Sequence, residues 1–114
     1  MYCSKFTDDA LEDIKKLPKN LRNALKKEFH KKIHVDPVSC SEKLSGILGD
    51  FRSLHYGDYR VVYRVFADIR TVSAVGVGKK NQDHRTNLYK RLEALARKGR
   101  LADVVLVTYR TISR

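Results

Sequence analysis

The sequence predicts an α+β domain in which an N-terminal helical hairpin packs on a small antiparallel β-sheet and a third helix follows the last strand. Three observations predict it. Apolar residues recur at helical spacing between Leu11 and Ile33, with lysines on the opposite side. The run FRSLHYGDYRVVYRVF alternates apolar and polar positions and is split by Gly57-Asp58, a hairpin signal. A second β-rich run, TVSAVGVG, leads into the basic segment KKNQDHRTNLY, where the last strand gives way to a helix. At 114 residues the chain is long enough for one core and too short for two, so residues 1–114 read as a single domain.

Each element has its own signal. Tyr2 to Phe6 is a short candidate strand. Thr7 offers an acceptor for the first helical N–H groups, and Asp8, Asp9, Glu12 and Asp13 suit a helix N-terminus as Lys15 and Lys16 suit its end. Leu11, Ile14 and Leu17 form the apolar stripe of this helix. Pro18 ends it by disfavouring the α conformation of the preceding residue. A second helix runs to about His34, with Leu21, Leu25, Phe29 and Ile33 at intervals of four. So short a link makes an antiparallel hairpin with adjacent buried faces. Ser39 to Asp50 carries no strong period and reads as a loop.

The strands begin near Phe51. With Gly57-Asp58 as a two-residue turn, Tyr56 pairs with Tyr59, His55 with Arg60 and Ser53 with Val62. Alternation then gives an apolar face of Leu54, Tyr56, Tyr59, Val61, Tyr63 and Val65 for the helical hairpin. The other face, Ser53, His55, Arg60, Val62 and Arg64, is polar. A second turn at Ala67-Asp68 adds Thr71, Ser73 and Val75 to the polar face and Val72 and Ala74 to the core; a slip of one residue would exchange the two. The third helix begins near Asp83, carries Tyr89, Leu92, Leu95 and Ala96, and stops at Gly99. Beyond it, VVLVTY has strand propensity, so residues 101–114 are either an extra strand or a tail packed across the domain.

Charge narrows the partners. The formal net charge is +11. Residues 1–50 hold ten Lys/Arg against eight Asp/Glu, whereas residues 51–114 hold fourteen against five. A field so concentrated on the strand-and-tail half attracts polyanions, RNA, DNA or an acidic protein; a solvated face is the alternative. No apolar run approaches a membrane span and no secretory leader is visible, which predicts a cytoplasmic protein without a membrane partner. In a reducing compartment Cys3 and Cys40 read as free thiols.

The order GDYR, VVY and then His84-Arg85 followed by Tyr89, behind a basic helical hairpin, resembles the RelE/ParE superfamily of small bacterial toxins, roughly from Tyr2 to Leu95. The resemblance implies the toxin of a type II toxin–antitoxin pair. Such a toxin is usually a ribosome-dependent endoribonuclease that cleaves messenger RNA without metal or other cofactor, and less often an inhibitor of DNA gyrase without nuclease activity. It also implies a cognate antitoxin as partner, with a toxin–antitoxin heterotetramer as the expected assembly. A non-toxic RNA-binding module is a further alternative.

Metal-free cleavage by RNA's own 2′-hydroxyl needs a base for the 2′ proton, cations for the charge growing on phosphorus and an acid for the departing 5′ oxygen. Arg60, on the polar face, is the candidate to hold the scissile phosphate, since a guanidinium grips phosphate oxygens in pairs and stays charged; an ion pair with Asp58 is the alternative. Arg85 and Tyr89 lie four apart and share a helix face. In the family the matching tyrosine, or a basic residue near it, takes part in catalysis; a stacking or core tyrosine is equally compatible with the sequence. His55, opposite Arg60, has an imidazole able to act as base near neutral pH, with a half-exposed strand histidine as the alternative.

Arg52, Arg64, Lys79, Lys80 and Lys90 are candidate RNA-binding residues, with solvated side chains as the alternative. The best-known ribonuclease of the family carries two lysines on the strand before its GDYR-like block, where this chain has Arg52, Ser53 and His55. That departure leaves the acid–base assignment and the non-nucleolytic branch open. His30 and His34 have the spacing of a helical metal pair but no third ligand nearby, and read as solvated histidines.

Overall fold

The computed structural model describes residues 1–79 and 88–97. The elements run β1 (Cys3–Phe6), α1 (Asp8–Lys15), α2 (Lys19–Val35), β2 (Glu42–Lys43), β3 (Arg52–Tyr56), β4 (Tyr59–Phe66), β5 (Thr71–Lys79) and α3 (Leu88–Arg97), with single 3₁₀ turns at Gly46–Leu48 and Ala67–Ile69. The expected third-helix start near Asp83, its stop at Gly99 and the C-terminal strand or tail at 101–114 lie outside the described residues.

Local chemistry sets the element ends. Thr7 caps α1 through its hydroxyl, which accepts from the Ala10 N–H at 3.2 Å. The strands β3 and β4 close on Gly57, whose φ of 58° puts the first loop residue in a conformation costly for any side chain. The cross-strand pairs are Tyr56–Tyr59, His55–Arg60 and Ser53–Val62, as the sequence predicts.

The sheet order is β1-β5-β4-β3-β2. Strands β2 to β5 are antiparallel, while β1 joins the far side of β5 in parallel, so the sheet is mixed. The region read as a pure loop, Ser39 to Asp50, supplies the two-residue β2 and one 3₁₀ turn.

Two cores form, one on each side of the sheet. Ala10, Ile14 and Leu17 of the α1 region and Leu25, Phe29 and Ile33 of α2 meet Leu54, Val61, Tyr63, Val72, Ala74 and Val77. The stripe of α1 therefore differs from the expected one. Leu11 is exposed, and Ala10 with Asp13 takes its place against the sheet. On the other side Leu48, Phe51, Val62, Phe66 and Val75 pack under Leu88 and Leu92 of α3. The face expected to be polar is thus half core, because its alternating residues include Val62 and Val75 and α3 lies across them.

A bulge adjusts β5 to this arrangement. Tyr63 pairs with Ala74 but Val62 with Gly76, which leaves Val75 as the extra residue. Gly76 then faces α3 so closely that an added Cβ would stand 2.9 Å from Leu88 Cδ1. The missing side chain lets the helix settle on the strand.

Tyr63 of β4 donates its buried hydroxyl to the Pro37 carbonyl, outside the sheet, at 2.5 Å. His30 of α2 is hydrogen-bonded through Nδ1 to Ser4 of β1 and meets the Phe6 ring edge-on. Burial, and then the charge of Lys26, lower the His30 pKa from its ordinary value of 6.5. The folded state consequently favours the neutral ring. As pH falls through about 6.5 the unfolded chain takes up this proton before the folded one does, so stability declines until the lowered pKa is passed. His30→Gln should flatten that part of a stability–pH curve measured by urea denaturation.

Cys3 and Cys40 are both free. Among the described residues no helix is long and apolar enough to cross a membrane.

Candidate active site

Strand alternation places His55 and Arg60 side by side at the hairpin end of the face that α3 partly covers. Arg60 forms no ion pair with Asp58. Its Nη1 instead donates to two carbonyls of the turn, Gly57 O at 3.0 Å and Tyr59 O at 2.9 Å. These bonds fix the guanidinium plane by one corner. The Nε atom is buried and has no partner among the described residues. A buried donor without an acceptor costs about 1–3 kcal/mol and calls for a physical reason. His55 has a side chain 45% exposed, with Nε2 3.8 Å from the Glu42 carboxylate across the sheet edge.

Tyr89 reaches the same face from above. Its hydroxyl lies 2.6 Å from Ser53 Oγ, and Ser53 is itself buried. Ser53 and His55 are two residues apart on β3, so the phenol oxygen stands about 7 Å along the strand from the His55–Arg60 pair. Imidazole, guanidinium and phenol therefore border one patch of β3 and β4, the phenol held by a serine at its inner edge. A group of three His, Cys, Asp or Glu side chains able to hold a metal does not occur among the described residues.

The other candidates disperse. Arg64 is on the same face as Arg60 but about 13 Å further along β4, where its guanidinium carbon lies 5.4 Å from the Phe66 ring centroid. Lys79 pairs across the sheet with Tyr59, on the helical-hairpin side, and its Nζ sits 5.6 Å from that ring centroid. The Arg52 guanidinium donates to Ser41 Oγ at 2.7 Å and to the Val38 and Ser41 carbonyls at 3.0 Å, and so braces the segment before β2. Lys90 is exposed on α3. Lys80 and Arg85 lie outside the described residues. A cleft of about 260 Å³ lined by Val38, Lys43, Asp50, Phe51, Arg52 and Val65 opens at the far end of β3 from His55 and contains none of the proposed acid–base groups.

One pair near the site escaped the sequence reading. Asp13 of α1 is buried and accepts from Arg91 of α3 through both carboxylate oxygens, at 2.9 and 2.5 Å, and from the Val77 N–H at 2.9 Å. The signal was present. Asp13 stands in the middle of Ala10, Ile14 and Leu17 on one helix face, and a carboxylate inside an apolar stripe requires a buried partner.

Comparison with known proteins bears on the family and the fold. A family model described as the ParE toxin of the type II toxin–antitoxin system parDE matches residues 5–84. A putative RelE-like toxin protein of Escherichia coli is 33% identical over 88 residues, covering 76% of this chain and 92% of the relative. Toxin RelG of Mycobacterium tuberculosis is 29% identical over 90 residues, covering 79% and 98%. Among solved structures, the toxin–antitoxin complex RelBE2 of M. tuberculosis aligns with a TM-score of 0.64 at 29% identity, over 68% of this chain and 96% of that one. The isolated E. coli RelE toxin aligns with a TM-score of 0.59 at 27% identity, over 85% and 98%.

Proposed function

This chain belongs to the RelE/ParE superfamily of type II toxin–antitoxin toxins, and we propose that it is a ribosome-dependent endoribonuclease that cleaves messenger RNA without a metal. The observation that carries the reading is the patch of Arg60, His55 and Tyr89, with Arg60 fixed at one corner by the turn carbonyls. In the proposed reaction a base removes the proton of a 2′-hydroxyl, the 2′ oxygen bonds to the adjacent phosphorus, and the P–O5′ bond breaks as the 5′ oxygen takes a proton. The products are a 2′,3′-cyclic phosphate and a 5′-hydroxyl.

Each group has a role suited to its chemistry. Arg60, permanently charged, holds the non-bridging oxygens as negative charge grows on them. His55 is exposed enough to exchange protons with solvent and serves as the base. Tyr89 is the candidate acid, with Ser53 keeping its hydroxyl at the patch. Arg85, which lies outside the described residues, is a further candidate cation for the phosphate in this reading. Arg64, Lys79, Lys80 and Lys90 steer the RNA strand through the surrounding field, while Arg52 contributes mainly by holding the fold.

The solved relatives RelBE2 of M. tuberculosis and RelBE of E. coli are toxin–antitoxin complexes, which supports a cognate antitoxin as partner here. The matched family model is described as ParE, so a gyrase-directed toxin is the second reading. Inducing the chain in a bacterial host separates the two. We expect translation to stop with messenger RNAs cut within codons and no gyrase-linked DNA breaks, and growth to recover when a cognate antitoxin is co-expressed. Broken DNA with intact transcripts would transfer the chain to the second reading.

A further inference from the structure

Helix α3 is anchored on two flanks. Leu88 and Leu92 point into the core beneath it, while Tyr89 lies to one side of that stripe and Arg91 to the other. Tyr89 is bonded to Ser53 on β3. Arg91 reaches the opposite way, to Asp13. That carboxylate sits at the stretch of β5 beyond its pairing with β1, which ends at Ala74, and there it accepts the Val77 N–H. A strand edge, the first helix and the last described helix thus share one carboxylate whose side chain is 6% exposed.

From this geometry we infer that Asp13, acting through Arg91, is a positioning residue for Tyr89. Leu88 and Leu92, with Leu95 and Ala96 partly buried beside them, hold α3 on the sheet by apolar contact, which is non-directional and sets the angle of the helix less sharply than hydrogen bonds do. Roll would swing the phenol away from the His55–Arg60 pair. The two parallel N–H···O bonds from one guanidinium fix the angle as well as the distance, which a single bond would not. Asp13 touches no substrate in this arrangement. Its effect on chemistry passes through the angle of α3, and this role rests on the nuclease reading of Tyr89.

Arg91→Lys keeps the charge but loses the paired contact, and Asp13→Asn keeps an acceptor for Val77 while losing the carboxylate. In single-turnover cleavage on programmed ribosomes each should lower the rate constant, by as much as about 100-fold for displacement on the scale of an ångström, with the half-saturating concentration little changed. Combined with Tyr89→Phe, neither should slow the reaction further than Tyr89→Phe alone. Arg97→Ala, in an exposed pair on the same helix, is the control and should behave as the parent.

A second readout is independent of RNA. In protein carrying ¹³C-labelled tyrosine, with Tyr89→Phe to assign the signal, the Tyr89 Cζ resonance should move or broaden in Arg91→Lys and Asp13→Asn. An unchanged resonance, a rate within twofold of the parent, or losses that add fully to those of Tyr89→Phe would each overturn the positioning role. If the parent itself cleaves no RNA, the nuclease reading fails, and the resonance alone decides whether the clamp sets the phenol.

Discussion

Replacing Arg60 with alanine should slow RNA cleavage about a hundredfold, equivalent to about 3 kcal/mol of transition-state stabilisation, the usual cost of removing one preorganised charge donor. The fold should survive. The bonds lost are those from Nη1 to Gly57 and Tyr59 carbonyls at the hairpin end, where Gly57 is exposed and water can replace the guanidinium. Arg60→Lys should recover only part of the rate, because an ammonium restores the charge without the fork that grips two oxygens. Rate constants from single-turnover assays, set beside urea midpoints for the same proteins, check both statements. A rate within threefold of the parent for Arg60→Ala would remove Arg60 from the reaction.

The converse change is in the core. Phe29→Ala should destabilise the domain by about 3–5 kcal/mol, since the ring is fully buried and its removal leaves a cavity that neighbours cannot fill. Phe6 and Tyr63 contact it with ring centroids at 5.3 and 5.5 Å, so β1, α2 and β4 all lose a packing partner at once. Such a loss is a large share of a typical domain stability of about 5–15 kcal/mol. Urea denaturation should show a lower midpoint with an unchanged slope, and a shift under 1 kcal/mol would mean that the two rings close over the gap.

These two residues also show what was legible in the chain. Phe29 was marked as core by its spacing with Leu25 and Ile33, and Arg60 was placed opposite His55 by the Gly57-Asp58 turn alone. Both signals are local and both carry through to the fold, whereas the equally local spacing of Leu11 with Ile14 does not, since Ala10 and Asp13 face the sheet in its place. The parallel pairing of β1 with β5 joins residues far apart in sequence, and no spacing within Cys3–Phe6 announces it. The second core was hidden for a similar reason. Val62 and Val75 are buried only because Leu88 and Leu92 arrive from another segment, so alternation on the strands read as a wet face.

The bulge at Val75 had a further consequence for the candidate site. It adds one residue to β5 and thereby brings Lys79 beside Tyr59, on the side opposite Arg60. Lys79 is a candidate RNA contact in the sequence, and the direction of its side chain depends on that single extra residue. Tyr89 is singled out by the resemblance, in the block His84-Arg85 followed by Tyr89, but its bond to Ser53 depends on where α3 lands on the sheet, which helical periodicity does not encode.

The most direct measurement uses purified protein, programmed ribosomes and two versions of one short message, identical except that the second lacks the 2′-hydroxyl at the cleaved nucleotide. The unmodified message should be cut within a codon in the presence of chelator, leaving a 2′,3′-cyclic phosphate and a 5′-hydroxyl, and the deoxy version should remain whole. Cleavage of both messages would contradict attack by the 2′-hydroxyl, and survival of both, with the protein folded and ribosome-bound, would contradict the nuclease function itself.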